Sequence, residues 1–111
     1  MAGGNDRWGE LLSAAQAGDA ASYREFLTGV TPFVRALARR KLRAEDVVED
    51  VVQDVLLTVH RVRHTYEPGR PVAPWLVAIV ARRSIDSLRK RGRGAAREIH
   101  EGSEVMAPAA E

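Results

Sequence analysis

The stretch VVEDVVQDVLLTVHRV (residues 47–62) gives the strongest indication of the fold. Its apolar residues recur at spacings of three and four, which is the pattern of a helix with one apolar face. A half-buried β-strand would alternate apolar and polar residues one by one. Because valine is a mediocre helix former, packing against other elements must stabilise this helix. The stretch therefore predicts an amphipathic helix within a helical bundle.

Capping residues before this stretch predict three further helices. Asp6 is suited to cap a first helix, and Gly18-Asp19 to end it and cap the second. Thr31-Pro32 is typical of an N-cap followed by proline at the first helical position, so a third helix is expected to begin there. The helix of residues 47–62 is then the fourth.

The C-terminal half contains a loop, one more helix and a tail. Two prolines and a glycine predict irregular structure over residues 63–71. A fifth helix is expected from near Pro74 to about Arg91, ended by Gly92 and Gly94. The expected fold is an all-α bundle of four to five helices over residues 1–93, with a disordered, linker-like tail at 94–111. The residues expected in the core are Val48, Val51, Val52, Val55, Leu76 and Val80.

Composition excludes several classes of function. The chain of 111 residues has no cysteine, which excludes disulfides and thiolate metal sites. No apolar run approaches the roughly 20 residues that span a bilayer, and no secretion signal is visible, so a cytoplasmic protein is expected. The histidines His60, His64 and His100 lack the spacing of metal ligands or of a catalytic set. We expect a binding protein without cofactor, not an enzyme.

Charge is segregated along the chain although the net charge is only +2. Residues 45–54 carry five acids and no base, whereas residues 55–93 carry nine Lys and Arg against two acids. Such segregation indicates two surfaces with different partners. Two solvated helix faces without partners are the alternative.

The fifth helix is expected to have one buried and one cationic side. At about 100° per residue, the apolar side gathers Val77, Val80, Ala81, Ser84, Ile85 and Leu88. The opposite side gathers Arg82, Arg83, Arg89, Lys90 and Arg93, with Asp86 among them and Trp75 at the head. Like charges this close repel one another, and a nucleic-acid backbone would relieve that repulsion. An ordinary solvated arginine-rich face is the alternative.

Two motifs, one following the other along the chain, resemble those of a known family. The run EDVVEDVVQDVLL (residues 45–57) resembles the second conserved region of extracytoplasmic-function sigma factors, which belong to the sigma-70 family. The run PWLVAIVARRSIDSLR (residues 74–89) looks like the promoter-reading helix that follows it. Gly18-Asp19, which precedes a helix with aromatic residues, is similar to the start of the domain in this family. The resemblance covers about residues 10–93 and implies a sigma factor domain that recognises and melts the −10 element.

The resemblance implies that the acidic face of the fourth helix docks on core RNA polymerase, at the clamp helices of its largest subunit. The polymerase-binding residues expected are Asp46, Glu49, Asp50, Gln53 and Asp54. An acidic patch is a poor DNA surface and a good surface for a basic protein. For Asp46 and Glu49, a merely solubilising role remains open.

The resemblance also implies that residues 64–71 hold a base flipped from the non-template strand. Tyr66 would offer a stacking face, or else anchor the loop against the helices, and Arg70 would bind phosphate. The DNA-binding residues expected are His64, Thr65, Tyr66, Arg70, Trp75, Arg82, Arg83, Asp86, Arg89, Lys90 and Arg93. For Trp75, partial burial in the core is the alternative.

Three further expectations concern a regulatory partner, the domains that the chain contains and the alternative functions. An anti-sigma protein is implied as a partner. The family's usual second domain, which binds the −35 element, is not encoded, so an excised domain or a natural single-domain protein is expected. The rival functions are a helical DNA- or RNA-binding regulator without polymerase binding, and a helical adaptor without nucleic acid.

Overall fold

Four α-helices and one 3-10 helix form the part of the chain that a computed structural model describes, namely the backbone of residues 2–99 and the side chains of residues 7–92. The helices are α1 (Ala2–Gln16), α2 (Ala20–Lys41), α3 (Glu45–Val62), the 3-10 helix (Arg63–Thr65) and α4 (Val72–Ile99). The expected all-α bundle of four to five helices is confirmed, with no strand within residues 2–99.

Helix α3 supplies the largest share of the core. The six residues expected to be buried are at most 3% exposed: Val48, Val51, Val52, Val55, Leu76 and Val80. They pack with Leu12 of α1 and with Phe26, Val30 and Val34 of α2. Burial of these side chains supplies the stabilisation that valine's weak helix propensity does not.

The turn between α1 and α2 forms as expected, whereas the start of α1 differs. Gly18 has a φ of +106°, a backbone conformation that glycine adopts without strain. Asp19 caps α2, because its Oδ1 accepts a hydrogen bond from the Ser22 amide at 3.2 Å. Helix α1 begins at Ala2, so Asp6 is not its N-cap.

The helix boundary predicted at Thr31-Pro32 is wrong, because α2 continues through Pro32. Proline cannot donate to the carbonyl of Thr28, but both residues are exposed, so water can bind that carbonyl. Val30 and Val34 are fully buried on either side and hold the helix against the core. Thr31 does not cap a new helix, since its hydroxyl donates to the Leu27 carbonyl at 2.6 Å.

Helix α4 is longer than expected at both ends. It begins at Val72, so Pro74 lies in the first turn, where no backbone N–H is needed. It continues to Ile99, past the two glycines expected to end it. A glycine inside a helix costs about 1 kcal/mol relative to alanine, which weakens a helix without ending it. The tail prediction falls mainly on residues 100–111, which lie outside the described residues.

Candidate functional site

One face of α3 presents an exposed stripe that we call the docking stripe: Asp46, Asp50, Gln53 and Leu57. These residues recur every three or four positions on the side opposite the buried valines. Leu57 is 56% exposed at the end of the stripe. Asp54 is half-buried beside it, and the Asp50 carboxylate lies 3.9 Å from the Arg91 guanidinium of α4. The stripe combines negative charge with one apolar side chain.

Glu49 lies outside this stripe, although it was expected among the polymerase-binding residues. Its carboxylate accepts hydrogen bonds from Arg35 Nε at 2.6 Å and Nη2 at 2.9 Å. These bonds hold the pKa of Glu49 below its ordinary value of 4.5. Glu49 is thus occupied by an intramolecular partner on α2. Asp46 is exposed, and its Oδ1 accepts from the Val47 amide in the first turn of α3.

The loop between α3 and α4 is folded around a tight turn. The Arg70 amide donates to the Glu67 carbonyl at 3.1 Å, across Pro68 and Gly69. Gly69 has a φ of +95°, as the third position of a type II turn requires. The Glu67 and Arg70 side chains form an exposed ion pair at 3.3 Å. The loop therefore has a defined shape.

Tyr66 anchors this loop and does not offer a stacking face. The residue is 3% exposed, and its hydroxyl donates to the Arg70 carbonyl at 2.6 Å. Its ring meets Trp75 edge-on at a centroid distance of 5.8 Å. Burial raises the pKa of Tyr66. The stacking role is not supported, because packing covers the ring, whereas the anchoring role agrees with these contacts.

The loop residues that remain available to a ligand are His64, Thr65 and Arg70, all of which are exposed. The Thr65 hydroxyl already donates to the Val62 carbonyl at 2.7 Å, as a cap of the preceding helical turn. Trp75 is half-buried behind the loop, in line with the alternative of partial burial. The loop thus presents one imidazole, one hydroxyl and one guanidinium to solvent, and the guanidinium is paired with the exposed Glu67 carboxylate.

The buried face of α4 is rotated from the expected one. It comprises Val72, Leu76, Val80 and Ser84 at four-residue spacing. Val77, Ile85 and Leu88, which were expected to be buried, are 43 to 49% exposed. The apolar arc of α4 is wider than the surface that the other helices cover, and the sequence pattern cannot show which part they cover. The Ser84 hydroxyl is buried and has no hydrogen-bond partner among the described residues.

The cations of α4 differ in exposure and in pairing. Asp86 accepts from Arg83 at 2.6 Å and lies 3.5 Å from Arg82. The Arg83 side chain is only 26% exposed, whereas that of Arg82 is 69% exposed. Arg89 is half-buried and Lys90 is exposed. At about 100° per residue, Arg82 and Arg89 lie towards one edge of the cationic side, and Arg83 and Lys90 lie towards the other. The side chain of Arg93 lies outside the described residues.

Three positions that sequence reasoning missed contact the loop or extend the docking stripe. Leu57 has a detectable signal, because it is a leucine in phase with the polar face of an amphipathic helix. Gly9 and Gln16 of α1 contact the loop across the tertiary structure. No local pattern marks these two, since their partners lie about fifty residues away.

Comparisons with known proteins identify the family. No helix in the described part of the chain is both long and apolar enough to cross a membrane. No curated protein and no solved structure matches the chain. The family model for sigma-70 region 2 matches residues 27–94, which is 68 of the 111 residues and includes α3, the loop and most of α4. The chain therefore belongs to the sigma-70 region 2 family, whose domains act in promoter recognition during transcription initiation.

Proposed function

We propose that this domain docks on core RNA polymerase through α3 and holds the melted non-template strand of the −10 element with the loop and α4. The observation that carries the proposal is the contrast in charge between two surfaces, which adjoin where Asp50 lies 3.9 Å from Arg91. The docking stripe on α3 is acidic and exposed, whereas the exposed side chains of the loop and the following helix include Arg70 and Arg82. One surface suits a basic protein and the other suits a polyanion.

Polymerase docking relies on a combination of charge and apolar contact. Asp50 and Gln53 are exposed, and Leu57 adds an apolar side chain to the same stripe. An apolar residue surrounded by polar ones is the usual arrangement of a small protein interface. Asp54 lies at the edge of the stripe and would contribute charge. The clamp helices of the largest subunit are the partner that the family implies.

Strand opening would use binding energy alone. A base leaves the stack at a cost of a few kcal/mol, which contacts available only to the open strand must offset. His64 and Thr65 can hydrogen-bond base edges, and Arg70 can bind phosphate. Arg82 and Lys90 would bind phosphates of open and closed DNA alike. The loop would thus select the open strand, and α4 would hold the backbone.

Three finer assignments extend this proposal. Because residues 45–57 resemble those of the extracytoplasmic-function group of sigma factors, we propose that the chain belongs to that group. An anti-sigma protein would then be a regulatory partner that covers these same surfaces. Residues 1–93 would contain the functional surfaces, although α4 continues beyond them to Ile99.

Co-purification with core RNA polymerase tests the docking assignment. Asp50→Arg combined with Asp54→Arg should abolish co-purification and leave the helical circular-dichroism spectrum intact. The matched control is Glu10→Arg with Glu25→Arg, which changes the charge equally at two exposed acids of α1 and α2. The control should bind like the parent chain. If the α3 double variant co-purifies as well as the control, the docking assignment is wrong.

A further inference from the structure

Helix α1 lies outside the stretch that matches the family model, yet it is hydrogen-bonded to the loop. The side-chain amide of Gln16 donates to the carbonyl oxygens of Arg63 and Tyr66, both at 2.9 Å. These two carbonyls bracket His64 and Thr65. One amide group thereby holds both ends of the segment whose side chains face solvent.

Gly9 provides the space that the loop anchor occupies. A Cβ at this position would lie 2.9 Å from the Tyr66 hydroxyl and 3.9 Å from the Arg70 carbonyl oxygen. The missing side chain therefore allows the Tyr66 hydroxyl to reach that carbonyl. Glycine is otherwise unfavourable in the middle of a helix. Its close approach to the anchor gives a physical reason for its place in α1.

The other contacts of the loop lie within it or with the helices on either side of it. They are the turn from Arg70 to Glu67, the Tyr66 bond to the Arg70 carbonyl, the Thr65 bond to the Val62 carbonyl, the Glu67–Arg70 ion pair and the packing of Tyr66 against Trp75. An exposed loop that is not packed against the rest of a protein samples many conformations. Ordering such a loop upon binding costs conformational entropy, which reduces affinity. Contacts that order the loop beforehand therefore favour a ligand that fits its ordered shape.

We propose that α1 is a positioning element for the loop, and that Gln16 and Gly9 set the shape in which His64, Thr65 and Arg70 select single-stranded −10 DNA. This inference rests on the proposed function. It assigns a role in strand selection to α1, which makes no contact with DNA in the proposed function. A merely structural α1 would stabilise the bundle through Leu11 and Leu12 without affecting strand preference.

Two variants of the full chain separate these roles. Gly9→Ala places a methyl group against the Tyr66 hydroxyl, and Gln16→Met removes both hydrogen bonds at similar side-chain length. The control for the first is Gly92→Ala, because an added Cβ at Gly92 meets nothing within 4 Å. The control for the second is Gln16→Lys, which keeps a donor for the two carbonyls.

Two measurements are made on each variant. Amide hydrogen exchange in residues 63–71 reports loop order, with α3 amides as the internal reference. The ratio of dissociation constants for a closed duplex and a single-stranded non-template −10 oligonucleotide reports strand preference. Gly9→Ala and Gln16→Met should accelerate loop exchange and reduce the preference, each by roughly tenfold, as expected for the loss of one or two hydrogen bonds. Both controls should keep the parent's values.

The results that would contradict this inference differ from those that would contradict the proposed function. Unchanged loop exchange in both variants overturns the positioning role. Faster exchange with an unchanged strand preference overturns it too, since α1 then only stabilises the loop. A parent chain that prefers the closed duplex contradicts the proposed function and the selective role together, whereas a parent preference that both variants retain contradicts only the inference about α1.

Discussion

Arg35 on α2 and Glu49 on α3 form a two-point ion pair, in which Nε and Nη2 donate to the two carboxylate oxygens at 2.6 and 2.9 Å. The pair joins α2 to α3, the helix that contributes most of the buried valines. It also gives Glu49, whose side chain is still 44% exposed, an intramolecular partner. A residue that the sequence places on the acidic face is therefore a bridge inside the domain.

This ion pair predicts acid sensitivity. The pKa of Glu49 is lowered by the hydrogen bonds from Arg35, so its contribution to stability is present above its unfolded-state pKa. That contribution is lost as the pH falls through the lower, folded-state pKa. Urea unfolding of the parent and Glu49→Gln should therefore differ near neutral pH and converge below the ordinary value of 4.5. A constant difference down to strongly acidic pH would contradict this account.

Introducing one charge on each face of α3 tests which face of this helix is buried. Val52 is 2% exposed, so Val52→Asp should destabilise the domain by roughly 3–5 kcal/mol or unfold it, because an unpaired buried charge is costly. Leu57→Asp places the same side chain on the docking stripe and should melt like the parent. Thermal unfolding followed by circular dichroism compares them. Equal melting of both variants would mean that the assigned helix phase is wrong.

The buried hydroxyl of Ser84 predicts a stabilising substitution. It is fully buried and has no hydrogen-bond partner among the described residues. Ser84→Ala should raise the free energy of unfolding by about 1 kcal/mol, since a buried unsatisfied group carries a desolvation cost of that order. Ser87→Ala, at a half-buried position of the same helix, serves as the control. A loss of stability in Ser84→Ala would show that the hydroxyl has a partner.

Leu57 is expected to contribute to polymerase affinity but not to folding. Its exposed side chain gains burial only in a complex, so Leu57→Ala should weaken binding by about 1–2 kcal/mol, or roughly tenfold, at unchanged thermal stability. The measurement is a titration of core enzyme with labelled domain. Ile85→Ala, at a comparably exposed apolar residue of α4, is the control. Equal affinities for both variants would exclude Leu57 from the interface.

Measurements of DNA binding should distinguish the residues that select single-stranded DNA from the residues that bind phosphates of either form. Arg82→Ala with Lys90→Ala should weaken single-stranded and duplex −10 DNA together and reduce the salt dependence, because phosphates are present in both forms. Arg70→Ala should weaken the single strand more than the duplex, because in the proposed function the loop reaches the phosphates only of the open strand. Both effects can be measured by fluorescence anisotropy at several salt concentrations. A tighter duplex complex that is indifferent to Arg70 would identify a duplex-binding regulator.

The helical class, the buried valines of α3 and the separation of charge along the chain were all predictable from the sequence. These features follow from local periodicity, because the residues that share a face of a helix are fixed by the 100° step. The Gly18-Asp19 turn was equally predictable, since a glycine of positive φ followed by a capping aspartate acts within a few residues. The family's two motifs are likewise contiguous stretches.

Packing between the helices, in contrast, determines which side chains remain available at these surfaces. Tyr66 turns inward because Gly9 of α1 leaves room for its hydroxyl. Pro32 stays within α2 because the core holds the helix on both sides of it. Each outcome depends on partners distant in sequence: Gln16 lies 50 residues from the Tyr66 carbonyl that it binds. Periodicity gives the faces of one helix, but the neighbours that cover a face are set by how the helices pack.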